Sequence, residues 1–334
     1  MNAAVGSVAT VAGGELGILC AYQWADATAD ARELDPTGIE TAEAGGGVTW
    51  LHLNLSNARA RQLLAQVSWL PEAVRDLLCT HEPRRRVEAI PEGLIVVVSD
   101  LTFEEGSEPE EVGTLWCFAT PGLLVTGRTH PLQTPDRLRR AVRTGLRAGS
   151  GYDLLLWILG QRTTSLRDLT VEMSERVSEI EDEILGGRIR EQREQLGRIR
   201  RFCAQLRRHF GPDRNAFRRL LQQATLGTEA TEGIRLEVEE LSFLIDEVLE
   251  LYERSKLLQE ELASRVAENT GRSLYVLAIL SAAFLPMTLI TGIFGMNVAG
   301  LPGLVAPGAF WRVMLLIVAA GALTLAFISR RDRG

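Results

Sequence analysis

Residues Ser273–Trp311 read SLYVLAILSAAFLPMTLITGIFGMNVAGLPGLVAPGAFW, thirty-nine positions without one Asp, Glu, Lys or Arg. After Arg312 the chain is again uncharged as far as Arg330. A bilayer span demands such a stretch, because a hydrocarbon core about 30 Å thick takes roughly 20 apolar helical residues at about 1.5 Å each. Leu274–Phe294 meets that length, and Val313–Ser329 lies at its short end. Between them Gly295, Gly300, Pro302, Gly303, Pro307 and Gly308 mark a turn-rich loop. The competing reading is a buried helical hairpin in a soluble core. Pro286, in the middle of the first span, favours the membrane, where an interior proline is better tolerated.

Outside these segments the chain is soluble in character. It has 334 residues, 24% of them charged, and a net charge of −7, which gives no reason to expect nucleic acid. Cys20, Cys79, Cys117 and Cys203 are scattered without CxxC spacing, as free thiols in a reducing compartment would be. No basic residue precedes Arg32, so a signal-peptide n-region is absent and the N-terminal bulk is expected in the cytoplasm. Arg272 before the first span, and Arg330, Arg331 and Arg333 after the second, place both termini on that side and the loop outside.

Residues 1–150 read as an α/β domain. Gly17–Trp24, Val48–Leu55, Leu94–Phe103, Thr114–Ala119 and Leu123–Arg128 carry strand composition, the last two joined by a turn at Thr120-Pro121-Gly122. Asn57–Val67, Pro71–Cys79 and Pro135–Arg147 read as helices, with Ser56 as an N-cap and Pro71 in a first turn. Residues 151–272 change to long helices. One runs from Leu154 to Leu185 and stops at Gly186-Gly187. A second, Arg190–Gln223, lies in a stretch (188–219) of net charge +8. A third begins near Thr231 and meets no breaker before Gly295, giving a stalk about 95–100 Å long. Its Ile234, Val238, Leu241, Ile245, Val248 and Tyr252 follow the 4-3 spacing of a coiled-coil seam, which turns polar at Ser255 and Gln259 and resumes at Leu262 and Val266. Residues 229–268 hold a net charge of −8. The two charged helices either pair with one another and face water, or the acidic surface also concentrates cations.

The remaining divisions are a first span at 273–296, an outer loop at 297–311, a second span at 312–329 and a tail at 330–334. The first span ends in Gly295-Met296-Asn297. In this position the sequence resembles the CorA/ZntB family, whose signature is Gly-Met-Asn at the end of the first of two C-terminal membrane helices. The lead-in Leu285–Phe294 is similar to that family as well. The loop Asn297–Gly303, the stretches Trp50–Ser56 and His81–Val87, and Glu92-Gly93-Leu94 resemble its ZntB branch. The resemblance implies a homopentamer in the bacterial inner membrane, with the first span of each subunit lining a pore. The lining face would be Gly271, Leu274, Leu277, Ser281, Leu285, Thr288 and Gly292, ending in a filter of Gly295, Met296 and Asn297. The leucines would gate by dewetting, and uncharged amide and carbonyl oxygens would hold a hydrated ion weakly enough to release it.

The branch implies Zn²⁺ uptake, with proton coupling. The residues leave both open. The loop 298–310 lacks the acidic residue often seen in magnesium-transporting members. The lining face, however, has none of the Cys, His or carboxylate that zinc favours, and the spans hold no carboxylate for a proton. Glu260 and Glu268 are the candidates for attracting cations. Cys79-Thr80-His81, His52, His130 and His209 read as structural, so no metal site is assigned. Three functions stand at this point: a zinc transporter, a Mg²⁺ or Co²⁺ channel of the same fold, and a non-conducting membrane-anchored scaffold. No cofactor is expected. The absence of a P-loop, a GxGxxG, an HExxH or a nucleophile–base set points away from an enzyme.

Overall fold

The computed structural model describes residues 17–35, 46–102, 112–186, 192–223, 228–296 and 308–331. They fall into two compact units, Met1–Leu258 and Gln259–Gly334.

The first unit is built on a seven-stranded sheet ordered β2-β1-β3-β7-β6-β5-β4. Its strands are β1 (Ile18–Trp24), β2 (Arg32–Glu33), β3 (Val48–Asn54), β4 (Arg86–Ile90), β5 (Gly93–Leu101), β6 (Val112–Thr120) and β7 (Leu123–Arg128). β3 and β7 run parallel, and every other neighbour pair is antiparallel. β5, GLIVVVSDL, is buried at all nine positions. Such a continuous apolar run is what a strand covered on both faces requires. Its alternate residues serve two cores. Leu94, Val96 and Val98 join Trp24, Trp50, Leu154 and Phe217 on one face, while Ile95 and Val97 join Leu64, Leu77 and Phe118 on the other.

Two short helices, α1 (Ala58–Gln66) and α2 (Glu72–Thr80), cover the second face. The other face takes α3 (Gln133–Arg143) and the long helices α4 (Gly151–Leu185), α5 (Gln192–Gln223) and α6 (Thr228–Phe294). The strands expected from sequence are present, and Phe103, the expected end of one, lies outside the described residues. β2 and β4 went unread, since one is two residues long and the other (RVEAI) is an edge strand with only Val87 buried. The cap of α1 is Asn57, whose Oδ1 accepts from the Arg59 N–H at 2.9 Å. The expected cap, Ser56, instead donates to the Thr129 carbonyl at 2.9 Å. Pro71 is the N-cap of α2, one position ahead of its expected place.

Helix α3 starts and stops earlier than its composition suggests. Gly145, at φ +95°, ends it before Arg147. Its N-terminus is held from another element, because Asp100 of β5 accepts from Thr134 N–H at 3.1 Å and Thr134 Oγ1 at 2.6 Å. Asp100 is fully buried, and burial pushes its carboxyl up to about 6 against the pull of those hydrogen bonds.

The coiled-coil seam of α6 is buried as its spacing predicts from Ile234 to Val248, at the polar position Ser255 and again at Leu262, whereas Val266 is exposed. The charged helices pair in part within the chain. Arg214 lies 3.8 Å from Asp246, Arg218 donates to Ser242 at 3.1 Å, and Arg167–Glu240 and Arg254–Glu181 tie α4 to α6.

Sheet and helices are joined by one buried ion pair. Arg162 of α4 donates to Asp213 of α5 at 2.6 Å and to the Ser99 carbonyl of β5 at 3.1 Å. Asp213 also accepts from Ser99 N–H at 2.8 Å, and Arg85 stands 3.6 Å away. The Arg162 guanidinium lies over the rings of Phe210 and Phe217. Burial pushes the Asp213 carboxyl up, while the two arginines and the Ser99 N–H pull it back toward ionisation.

Removing one partner strands a buried charge, so Asp213→Ala should lower the stability of the full-length protein by about 3–5 kcal/mol. The double change Arg162→Met with Asp213→Leu should recover most of that loss. Thermal unfolding in detergent measures both. Asp100 gives a second expectation. Its folded pKa lies above the unfolded value, so protonation favours the fold and stability falls as pH rises through about 4 to 6. Unfolding midpoints of wild type and Asp100→Asn, followed from pH 7 down to pH 4.5, should therefore diverge in favour of wild type.

Candidate functional site

The second unit holds the end of α6 and α7 (Ala309–Arg331). The most apolar 18-residue windows of these two helices have mean hydropathies of 2.2 and 2.1, and only 6% of each window is buried within the chain. Large apolar side chains such as Leu285 (76% exposed) and Leu315 (74%) face outward. In water that surface would be unstable, and in a bilayer it is matched by lipid or by further copies.

The end of α6 has two opposed faces. Ile279, Ala283, Pro286, Met287, Ile290 and Phe294 are at least partly covered, and they recur at spacings of 4, 3, 1, 3 and 4. The covered positions of α7 include Ala309 and then Val313, Ile317, Ala320, Gly321, Thr324 and Ile328, the last six with the same spacings. At the crossing, Gly321 lets α7 approach Met287, and a Cβ added there would overlap the methionine methyl. A small residue at a membrane helix crossing serves this close approach.

The seven residues read from sequence as a lining face lie elsewhere on α6. Gly271, Leu274, Leu277, Ser281, Leu285, Thr288 and Gly292 are all exposed. With 100° per residue, the set from Leu274 to Gly292 centres about 180° from the face that meets α7. Thr288 Oγ1 donates to the Phe284 carbonyl at 2.8 Å. Its proton is thus spent inside the helix, and its oxygen is left as a pure acceptor on the uncovered face.

The helix closes at Gly295, whose N–H bonds to the Thr291 carbonyl at 2.9 Å, and Met296 N–H reaches the Ile293 carbonyl at 3.4 Å. Met296 is half exposed. Asn297, with most of the expected outer loop (297–307), lies outside the described residues. Glu260 and Glu268, on the same helix, are both exposed. Helix α7 runs past both ends of the expected span Val313–Ser329, because Ala309-Phe310-Trp311 add a turn. Phe310 and Trp311 pack edge to face at 5.6 Å, a pair suited to the headgroup level.

The histidine and cysteine candidates of the first unit are engaged structurally. His52 is fully buried, holds Thr126 Oγ1 at 2.8 Å through Nδ1, and is pushed down to about 3 by burial and by Arg128. His81 caps α2 in the left-handed conformation (φ 53°) with its ring edge-on to Trp116, while Cys79 Sγ points to the Arg61 carbonyl. Among the described residues no three His, Cys, Asp or Glu side chains gather to hold a metal. What sequence reasoning missed was the face of α6 that meets α7, although Gly321 among larger apolar residues was a readable signal for it.

The family model described as CorA-like Mg²⁺ transporter protein matches residues 45–331. The zinc transport protein ZntB of Yersinia enterocolitica is 25% identical over 272 residues, covering 81% of this chain and 82% of that protein. The divalent cation transporter CmaX of Pseudomonas aeruginosa is 28% identical over 279 residues, covering 80% and 82%. The solved full-length structure of CmaX superposes with a TM-score of 0.78 at 25% identity, covering 95% of this chain and 98% of that one. Two apolar helices with an exposed face, an α/β unit ahead of them and a family match over most of the length converge: this chain is a membrane protein that belongs to the CorA/ZntB family of divalent cation transporters.

Proposed function

We propose that this chain assembles as a homopentamer that takes up Zn²⁺ across the bacterial inner membrane, through a pore lined by the exposed face of α6. The observation that carries the reading is the opposition of the two α6 faces. One is occupied by α7. The other, from Leu274 to Gly292, is left exposed among the described residues, although it places Ser281 and Thr288 among leucines. Two spans cannot enclose water, so an aqueous path needs several copies, with this face turned inward.

On this reading the leucine rings at 274, 277 and 285 form constrictions that stay dry until they widen. Thr288 oxygens accept hydrogen bonds from the water shell of a cation, because their own protons are already committed. Divalent ions part reluctantly with their water, so acceptors that leave the shell intact lower the barrier to passage. Gly295, Met296 and Asn297 form the outer filter, and Glu260 and Glu268 raise the cation concentration at the inner mouth. Arg272 and the arginines after Ser329 keep both termini in the cytoplasm. The zinc assignment rests on the names of the ZntB relatives. The magnesium reading is favoured by the name of the matching family model, and competition decides between them.

Zinc flux into proteoliposomes tests the proposal. Asn297→Ala should lower zinc entry about ten-fold or more, and Thr288→Val, which keeps shape and removes the acceptor, several-fold. Excess Mg²⁺ should not block entry, and an inward proton gradient should raise it. Mg²⁺ entry that excludes zinc would favour the magnesium channel. No flux of either metal from verified pentamers would leave a scaffold.

A further inference from the structure

Two exposed helix faces of the first unit are unmatched among the described residues and complementary in charge. On α5, Arg201, Arg208 and Arg219 are exposed, and their spacings of 7 and 11 residues return them to one side of the helix. None forms an ion pair among the described residues, whereas on the flank turned to α6 Arg214 pairs with Asp246 and Arg218 donates to the Ser242 hydroxyl. On α6, Leu236, Phe243, Glu250 and Leu257 recur every seven residues opposite the buried seam. The three apolar members are 53%, 63% and 64% exposed. Glu247 and Glu250 on this face have no ion pair among the described residues.

We infer that the arginine face of α5 docks on the apolar and acidic face of α6 of a second copy of this chain. The sign of charge excludes the simpler arrangement. Pairing α6 with α6 would set Glu247 and Glu250 of one copy against those of the next, and like charges in register are costly. The arginine stems can cover Leu236, Phe243 and Leu257 while their guanidinium groups reach the carboxylates. Each copy then gives α5 to one neighbour and receives another neighbour's α5 on α6. Such a head-to-tail contact closes into a ring when its rotation allows. The contact also neutralises a row of cations that would otherwise repel a divalent cargo on the same side of the membrane. It rests on the proposed assembly only in needing more than one copy.

The full-length protein in detergent tests this without any transport readout. Lys256 is the only lysine, so Arg201→Lys with Arg208→Lys adds unique amines that keep the charge. Zero-length carbodiimide coupling in a mixture of isotopically heavy and light subunits should join these lysines to Glu247 or Glu250 of a different copy. Arg201→Glu with Arg208→Glu should raise the proportion of free subunits in native mass spectra about ten-fold. Adding Glu247→Arg and Glu250→Arg to that variant should restore assembly. Cross-links confined to one copy, or none from an intact oligomer, would overturn the inference. So would charge-reversed variants that assemble normally but no longer sediment with anionic phospholipid vesicles, an outcome that would give the arginine face to lipid. Loss of zinc flux alone bears on the proposed function and leaves this contact standing.

Discussion

Hydrocarbon offers no partner to a backbone amide, and that constraint organises the second unit. Every polar main-chain group between Leu274 and Phe294 must be satisfied inside its own helix, so the segment can only be helical. The hydroxyls of Thr288 and Thr291 turn back to the carbonyls of Phe284 and Met287, so their protons are satisfied within the helix. Pro286 is the one break in the ladder. Between two such helices there is little hydrophobic force, since lipid is as apolar as leucine. The crossing therefore depends on shape, with Gly321 admitting Met287. Committing one side of α6 to α7 leaves the opposite side uncovered among the described residues.

The first unit meets a different constraint, that of a charge buried in a protein interior. Arg162, Asp213 and the backbone of Ser99 hydrogen-bond one another at a point where α4, α5 and β5 meet. An apolar core would tolerate several ways of laying a helix on a sheet. A bidirectional set of hydrogen bonds to both the N–H and the carbonyl of one strand residue fixes a single placement. Asp100 acts similarly one residue along β5, anchoring the start of α3. Two neighbouring strand residues thus set the position of three helices.

Charge has a third part in the long helices. The positive and negative stretches meet at Arg214–Asp246, yet each helix also keeps a face of one sign turned to solvent. Intramolecular pairing and surplus charge coexist because a helix presents more sides than one neighbour can cover.

Legibility in the sequence followed the strength of the physical signal. The apolar spans, the α6 seam and the buried strands β3, β5 and β7 carry long patterns that no other fold would tolerate, so Leu274–Phe294 and Ile234–Val248 were readable residue by residue. Short or charged elements, such as β2 and β4, were not, because their formation depends on a neighbouring strand and little on their own composition. The cap at Asn57 and the early start of α3 were hidden for the same reason, since Thr129 and Asp100 lie far away in sequence. The lining residues could be listed from periodicity, but periodicity does not say which face a neighbouring helix takes. Only the packing of Gly321 against Met287 decided that α7 covers the side of Ala283 and leaves the side of Leu285 and Thr288 bare. Sequence determined that this chain crosses the membrane twice, because transfer to hydrocarbon depends on composition. Tertiary structure decided which residues face one another, because contact depends on shape.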